Sequence, residues 1–113
     1  MSAIDCKAIG KVLSEFKQIR ELNLSDCGLR TDIAKEIADG LMRAKQLEII
    51  RLSNNLNLDV SQMVYNLAFS PKIKLIDASS TGAGKASVVE NFQKLLEISG
   101  SISTIILKNT QFI

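Results

Sequence analysis

Residues Ser79-Ser80-Thr81-Gly82-Ala83-Gly84-Lys85-Ala86 have much of the make-up of a phosphate-holding loop, with glycines and a lysine placed between a strand-like run and a helix-like one. Two required residues are missing. Ser79 stands where the first glycine belongs, and Ala86 replaces the hydroxyl that would coordinate magnesium. The simpler reading is a strand-to-helix turn in which Gly82 and Gly84 supply permissive backbone. Nucleotide binding through the Gly82–Lys85 turn is the alternative function. A thiol nucleophile at Cys27 would need a base, but the chain contains no His to activate it, and its place in the sequence calls for a small buried side chain. Paired carboxylates for acid–base work would have to come from Glu21, Asp26 and Asp77. Asp26 sits at a turn position that Asn54, Ser80 and Asn109 fill elsewhere, so polar turn chemistry explains it more simply. The two cysteines, Cys6 and Cys27, are too few for a disulfide framework or a four-ligand zinc site and are expected as free thiols. The expectation is a protein that is not an enzyme and needs no cofactor or metal.

These residues belong to a chain of 113, expected to form one domain over 1–113. Apolar residues make up 46% and charged residues 23%, but Trp is absent and aromatics are few, so the core must be aliphatic. The net charge is +2, and no run of five or six like charges occurs. That pattern argues against nucleic acid or an anionic membrane as partner, because such surfaces need clustered Lys and Arg. No apolar stretch reaches the length of a membrane span, and Met1 to Gly10 lacks the features of a signal peptide, so a cytoplasmic location and no membrane insertion are expected.

Self-similarity organises the whole chain. Ile19-x-x-Leu22-x-Leu24-x-x-Cys27-x-Leu29 returns as Leu47-x-x-Ile50-x-Leu52-x-x-Asn55, as Ile73-x-x-Ile76-x-Ala78-x-x-Thr81-x-Ala83 and as Ile102-x-x-Ile105-x-Leu107-x-x-Thr110-x-Phe112. The starts are 28, 26 and 29 residues apart. Alternating apolar residues at the fourth and sixth places predict a strand with one buried face. The ninth place holds Cys27, Asn55, Thr81 and Thr110, which can hydrogen-bond the backbone where the chain leaves the strand. Helical stripes follow: Ile33, Ile37, Ala38 and Leu41, then Val60, Met63, Val64 and Leu67, then Val88, Val89, Phe92, Leu95 and Leu96. Ile9, Val12, Leu13 and Phe16 give the same stripe ahead of the first strand. Asp59 with Gln62, and Ser87 with Glu90, have capping-box spacing, with a place inside the helix as the other reading of Ser87. Pro71 is expected to close the third helix, and Gly100 follows the fourth.

The frame resembles the ribonuclease-inhibitor class of leucine-rich repeats, whose strand-plus-helix units run to 28 or 29 residues, and four copies agree in phase. The resemblance implies an α/β leucine-rich-repeat solenoid, a short horseshoe with a parallel sheet of about four strands on the concave face and helices on the convex face. Asn57 interrupts the second copy and Leu58 follows it, so an irregular exit from that strand is expected. The third copy is weak, with Ala78 and Ala83 at places that usually hold larger residues. The stretch from Leu22 to Arg30 looks most like the cytoplasmic repeats of the CARMIL (capping-protein regulator and myosin-I linker) family, with tropomodulin-type repeats as a second match. That likeness implies a link to actin filament ends. The capping-protein-binding segment of the first family lies outside its repeats, and this sequence shows no room for it.

On such an array the strand residues that do not point into the core form a surface: Glu21, Asn23 and Ser25, then Ile49, Arg51 and Ser53, then Leu75, Asp77 and Ser79, then Thr104, Ile106 and Lys108. Ile49, Leu75 and Ile106, flanked by Arg51, Asp77 and Lys108, suggest a contact site for a protein partner. Scattered exposed aliphatics are ordinary on any surface, and that is the competing account. The function expected is a protein-interaction scaffold working through this face or through an end. A purely structural extension of a longer array is a third possibility. No polar cap is visible at either end, so the chain is expected to be a fragment of a longer array or to self-associate through an end strand.

Overall fold

Four strands, β1 (Glu21–Asn23), β2 (Ile49–Arg51), β3 (Leu75–Asp77) and β4 (Thr104–Ile106), lie side by side in sequence order as one parallel sheet. This computed structural model describes residues 1–82 and 86–110. Parallel neighbours need a crossover between them, and each crossover here contains a helix: α2 (Lys35–Leu41), α3 (Ser61–Leu67) and α4 (Ala86–Ile98), with α1 (Ala3–Glu15) ahead of β1. The register keeps the repeat in phase. Leu22, Ile50, Ile76 and Ile105 form one row across the sheet, Glu21, Ile49, Leu75 and Thr104 a second, and Asn23, Arg51, Asp77 and Ile106 a third.

The strands are shorter than the apolar alternation suggests, but the ladder continues past them through the turn. The N–H groups of Leu24 and Asp26 donate to Arg51 and Ser53 carbonyls, those of Leu52 and Asn54 to Asp77 and Ser79, and those of Ala78 and Ser80 to Ile106 and Lys108. Every one of these bonds runs from a unit to the next. Asp26, Asn54, Ser80 and Asn109 each take a left-handed backbone, with φ of 54°, 60°, 52° and 56°. Asn and Asp tolerate that region better than other residues with a Cβ, which explains why polar residues recur at this turn position. Directly after it, Thr81 Oγ1 donates to the Ala78 carbonyl and Thr110 Oγ1 to the Leu107 carbonyl.

Asn55 does more at the same position. Its Nδ2 donates to the carbonyls of Leu24 and Leu52 at 3.0 and 2.8 Å, and its Oδ1 accepts from the N–H groups of Leu29 and Cys27 at 2.9 and 3.3 Å. One buried amide thus fastens the exits of two neighbouring strands. Asn57 is exposed and Leu58 is buried in its stead, as expected for the irregular second copy.

A single aliphatic core lies between sheet and helices, with Leu24, Ile50, Leu52 and Ile76 from the sheet meeting Ile37, Leu41, Met63, Leu67, Val88 and Leu95 from the helices. Three details depart from expectation. In α1 the buried face is Cys6, Gly10 and Leu13, while Val12 and Phe16 face outward. The reason is backbone proximity: a Cβ on Gly40 would lie 2.9 Å from the Gly10 carbonyl oxygen, and one on Gly10 would collide with the Glu36 carbonyl. The two glycines let α1 and α2 touch backbone to backbone, and that contact fixes the rotation of α1. Leu96 likewise faces outward from α4. Finally, α3 ends at Leu67, four residues before Pro71, and its start is not a capping box. Asp59 Oδ1 accepts from the Ser61 N–H and hydroxyl, whereas Gln62 donates to Asn66. Ser87 lies within α4 rather than ahead of it, so it is not the residue that caps that helix. A true capping box opens α1, where Ser2 and Asp5 bond reciprocally.

Candidate interaction surface

Strand alternation turns Leu22, Ile50 and Ile76 toward the core and sends their neighbours to the opposite face of the sheet. The structure therefore brings the expected surface residues together in columns. Glu21, Ile49 and Leu75 are side by side, and Asn23, Arg51, Asp77 and Ile106 lie two residues further along. Ile49 and Leu75 are direct neighbours. Ile106 is paired with Asp77, so it meets Leu75 only on the diagonal, and all three aliphatics are half-buried rather than protruding.

Polar bonds tie this face down. Arg51 lies between two carboxylates, with Nε 3.3 Å from Glu21 Oε1 and a terminal guanidinium nitrogen 4.0 Å from Asp77 Oδ2. Asp77 also accepts from the Ser79 N–H, and Asn23 from the Ser25 N–H. Beyond them Ser53 donates to the Ser25 hydroxyl, and Ser79 Oγ accepts from the Lys108 N–H. At the strand entrances Glu48 sits between Lys74, at 2.8 Å, and Arg20, at 3.9 Å. Its carboxyl is held below the usual range chiefly by the Lys74 hydrogen bond and charge. Glu21 and Asp77 are thus joined through Arg51, while Asp26 is an exposed turn residue apart from them. They form an ion-pair ladder rather than a convergent carboxylate pair.

The other chemical candidates have structural partners. Gly82 donates its N–H to the Leu58 carbonyl at 2.8 Å, and a Cβ there would lie 2.7 Å from the same oxygen, so close backbone approach accounts for this glycine. Ala83, Gly84 and Lys85 lie outside the described residues. Cys27 is half-buried, more open than its repeat position suggests, and its thiol donates to the Ser25 carbonyl. Cys6 is fully buried on the inward face of α1, and burial pushes its thiol up. Among the described residues no group of three or more Cys, Asp or Glu is placed to hold a metal ion, and no helix is long and apolar enough to cross a membrane.

Sequence reading did not anticipate that a large exposed apolar residue recurs at the C-terminal end of each helix, although Ile4 and Leu56, which lie elsewhere, are more exposed still. Phe16, Met42, Phe69 and Ile98, each 50% exposed or more, stand at or just past the C-terminal ends of the four helices. Their spacing was visible in the sequence, but each was hidden inside or beside a helical stripe. Comparison with models of known protein families and with curated proteins finds no match.

Proposed function

We propose that the chain is a ribonuclease-inhibitor-type leucine-rich-repeat array that holds a protein partner on the outward strand face and catalyses nothing. The observation that carries the reading is the register, which assembles Glu21, Asn23, Ile49, Arg51, Leu75, Asp77 and Ile106 from three crossovers into one contiguous face. The phase of the four copies, the recurring left-handed turn residue and the Asn55 clamp support the repeat assignment. A rigid face with two adjacent aliphatics inside an ion-pair ladder suits recognition, since the side chains are already ordered before a partner arrives. Lys108 borders that face at the fourth strand.

The finer likeness to CARMIL and tropomodulin repeats is the ground on which we propose a partner in the actin cytoskeleton and a cytoplasmic location. The direct test is co-sedimentation with actin filaments, together with capture of partners from cell lysate, using the parent chain and an Ile49→Glu, Ile106→Glu variant. The expected result is a partner retained by the parent and by Lys85→Ala but lost from the double variant. Retention by the double variant would move the binding site off the strand face.

A further inference from the structure

The four helix-to-strand connections lie at the same end of the molecule, because the strands run parallel and each follows a helix. Bonds between connections show their alignment: Lys72 Nζ donates to Gln46 Oε1 at 2.7 Å, and Arg20, Glu48 and Lys74 are linked in a row. Residues 16–20, 42–48, 69–74 and 98–103 carry Lys17, Arg20, Arg43, Lys45, Lys72 and Lys74 against Glu48, with Glu15 and Glu97 in the adjoining helix turns. The opposite end, among the described residues, has Asp26, Asp32 and Asp59 against Arg30 and Lys108. Charges that look scattered along the chain are therefore sorted by the fold, with the cations gathered at one edge.

Lys17, Arg43, Lys45 and Lys72 are exposed and pair with no carboxylate of the described residues. Lys17 and Arg43 directly follow the C-caps of α1 and α2, where the helix dipole also favours a cation, whereas Lys45 and Lys72 lie further along their connections. Among them stand the apolar tips Phe16, Met42, Phe69 and Ile98, exposed by 61, 51, 50 and 50% and spaced 26, 27 and 29 residues apart, one per connection. Val12 and Leu96 add exposed apolar surface in the last turns of α1 and α4.

We infer that this edge docks on the surface of an anionic phospholipid bilayer, with the four apolar tips entering the headgroup boundary and the unpaired cations lying among the lipid phosphates. The inference is independent of a protein partner on the strand face. Interfacial binding needs apolar tips and cations on one side of a molecule, and its strength grows with both. Single-stranded nucleic acid would need bases to stack on the tips, and Met42 and Ile98 offer no aromatic platform.

Sedimentation with phosphatidylcholine vesicles, with and without phosphatidylserine, tests the proposal. The parent should bind only the serine-containing vesicles. Removing three cations in Lys17→Gln, Arg43→Gln, Lys72→Gln should weaken partitioning on the order of a hundredfold, about fivefold for each charge. Phe16→Ser, Phe69→Ser should weaken it roughly tenfold or more. The control Lys7→Gln, Lys11→Gln, Lys35→Gln removes the same charge from α1 and α2 and should cost far less. Circular dichroism establishes folding, and Lys45→Glu alone gives a milder second variant. Absence of serine-dependent binding by the parent, or equal loss in the control, would overturn the proposal. So would full binding by the Phe variant with displacement by double-stranded DNA, which would make the edge a general polyanion site.

Discussion

At the scale of single residues, the buried asparagine at position 55 shows how one side chain can hold neighbouring units together. Its amide closes bonds within its own unit and across to Leu24 and Leu29, and none of these groups could reach water if it were removed. Asn55→Ala should therefore destabilise the protein by about 2–4 kcal/mol in urea denaturation. Ser70 is the contrasting case, since its buried hydroxyl has no hydrogen-bond partner among the described residues. Ser70→Ala should be neutral or stabilising by up to about 1 kcal/mol. A loss at Ser70 as large as that at Asn55 would mean that burial alone, rather than bonding, governs both positions. Two carboxylates contribute to stability against acid: Asp5, lowered first by the Ser2 backbone bond, and Glu48, lowered first by the Lys74 hydrogen bond. A depressed folded-state pKa contributes stability above the ordinary carboxylate range, and the contribution is lost as pH falls through the lower folded value. Thermal melts from neutral pH downward should show this loss, and Glu48→Gln should make the decline shallower.

At the scale of elements, the hydrophobic periodicity locates every strand and helix because both periods bury one face, and the four-copy phase predicts the parallel register. The sequence leaves the rotation of α1 open, since Ile9, Val12, Leu13 and Phe16 form as good a stripe as the one that is buried. The deciding contact is between the backbones of α1 and α2 at Gly10 and Gly40. Gly10→Ala should destabilise by about 1–3 kcal/mol through overpacking, outweighing the roughly 1 kcal/mol that alanine gains in an open helix. Gly40→Ala, with slightly more room, should cost less. The strand faces have their own check, in that Leu24→Ala should cost about 2–5 kcal/mol while Asn23→Ala stays within about half a kcal/mol. Leu24 is buried and Asn23 exposed, so similar losses would contradict the face assignment. The candidate surface was legible in the same alternation. The basic edge was not, because its cations lie in separate connections and only the crossovers bring them to one end.

At the scale of the whole molecule, the two sides of the sheet are open among the described residues. Ile102, Ile105 and Leu107 are half-buried where their equivalents in the second unit, Leu47, Ile50 and Leu52, are fully covered. The N–H groups of Leu107 and Asn109, which correspond to the forward donors of the earlier units, bond no backbone carbonyl of the described residues. Such an edge can pair with another copy, and we expect self-association that rises with concentration in sedimentation velocity and weakens in Ile106→Lys. A monomer at every concentration would refute this. The forward hydrogen bonds have a further result for motion. Each unit is held only by its neighbours, so opening need not be global and can travel unit by unit from the side with least cover. In hydrogen–deuterium exchange of the monomer, amides of β4 should exchange first and those of β2, enclosed on both sides, last, giving a gradient of protection along the chain.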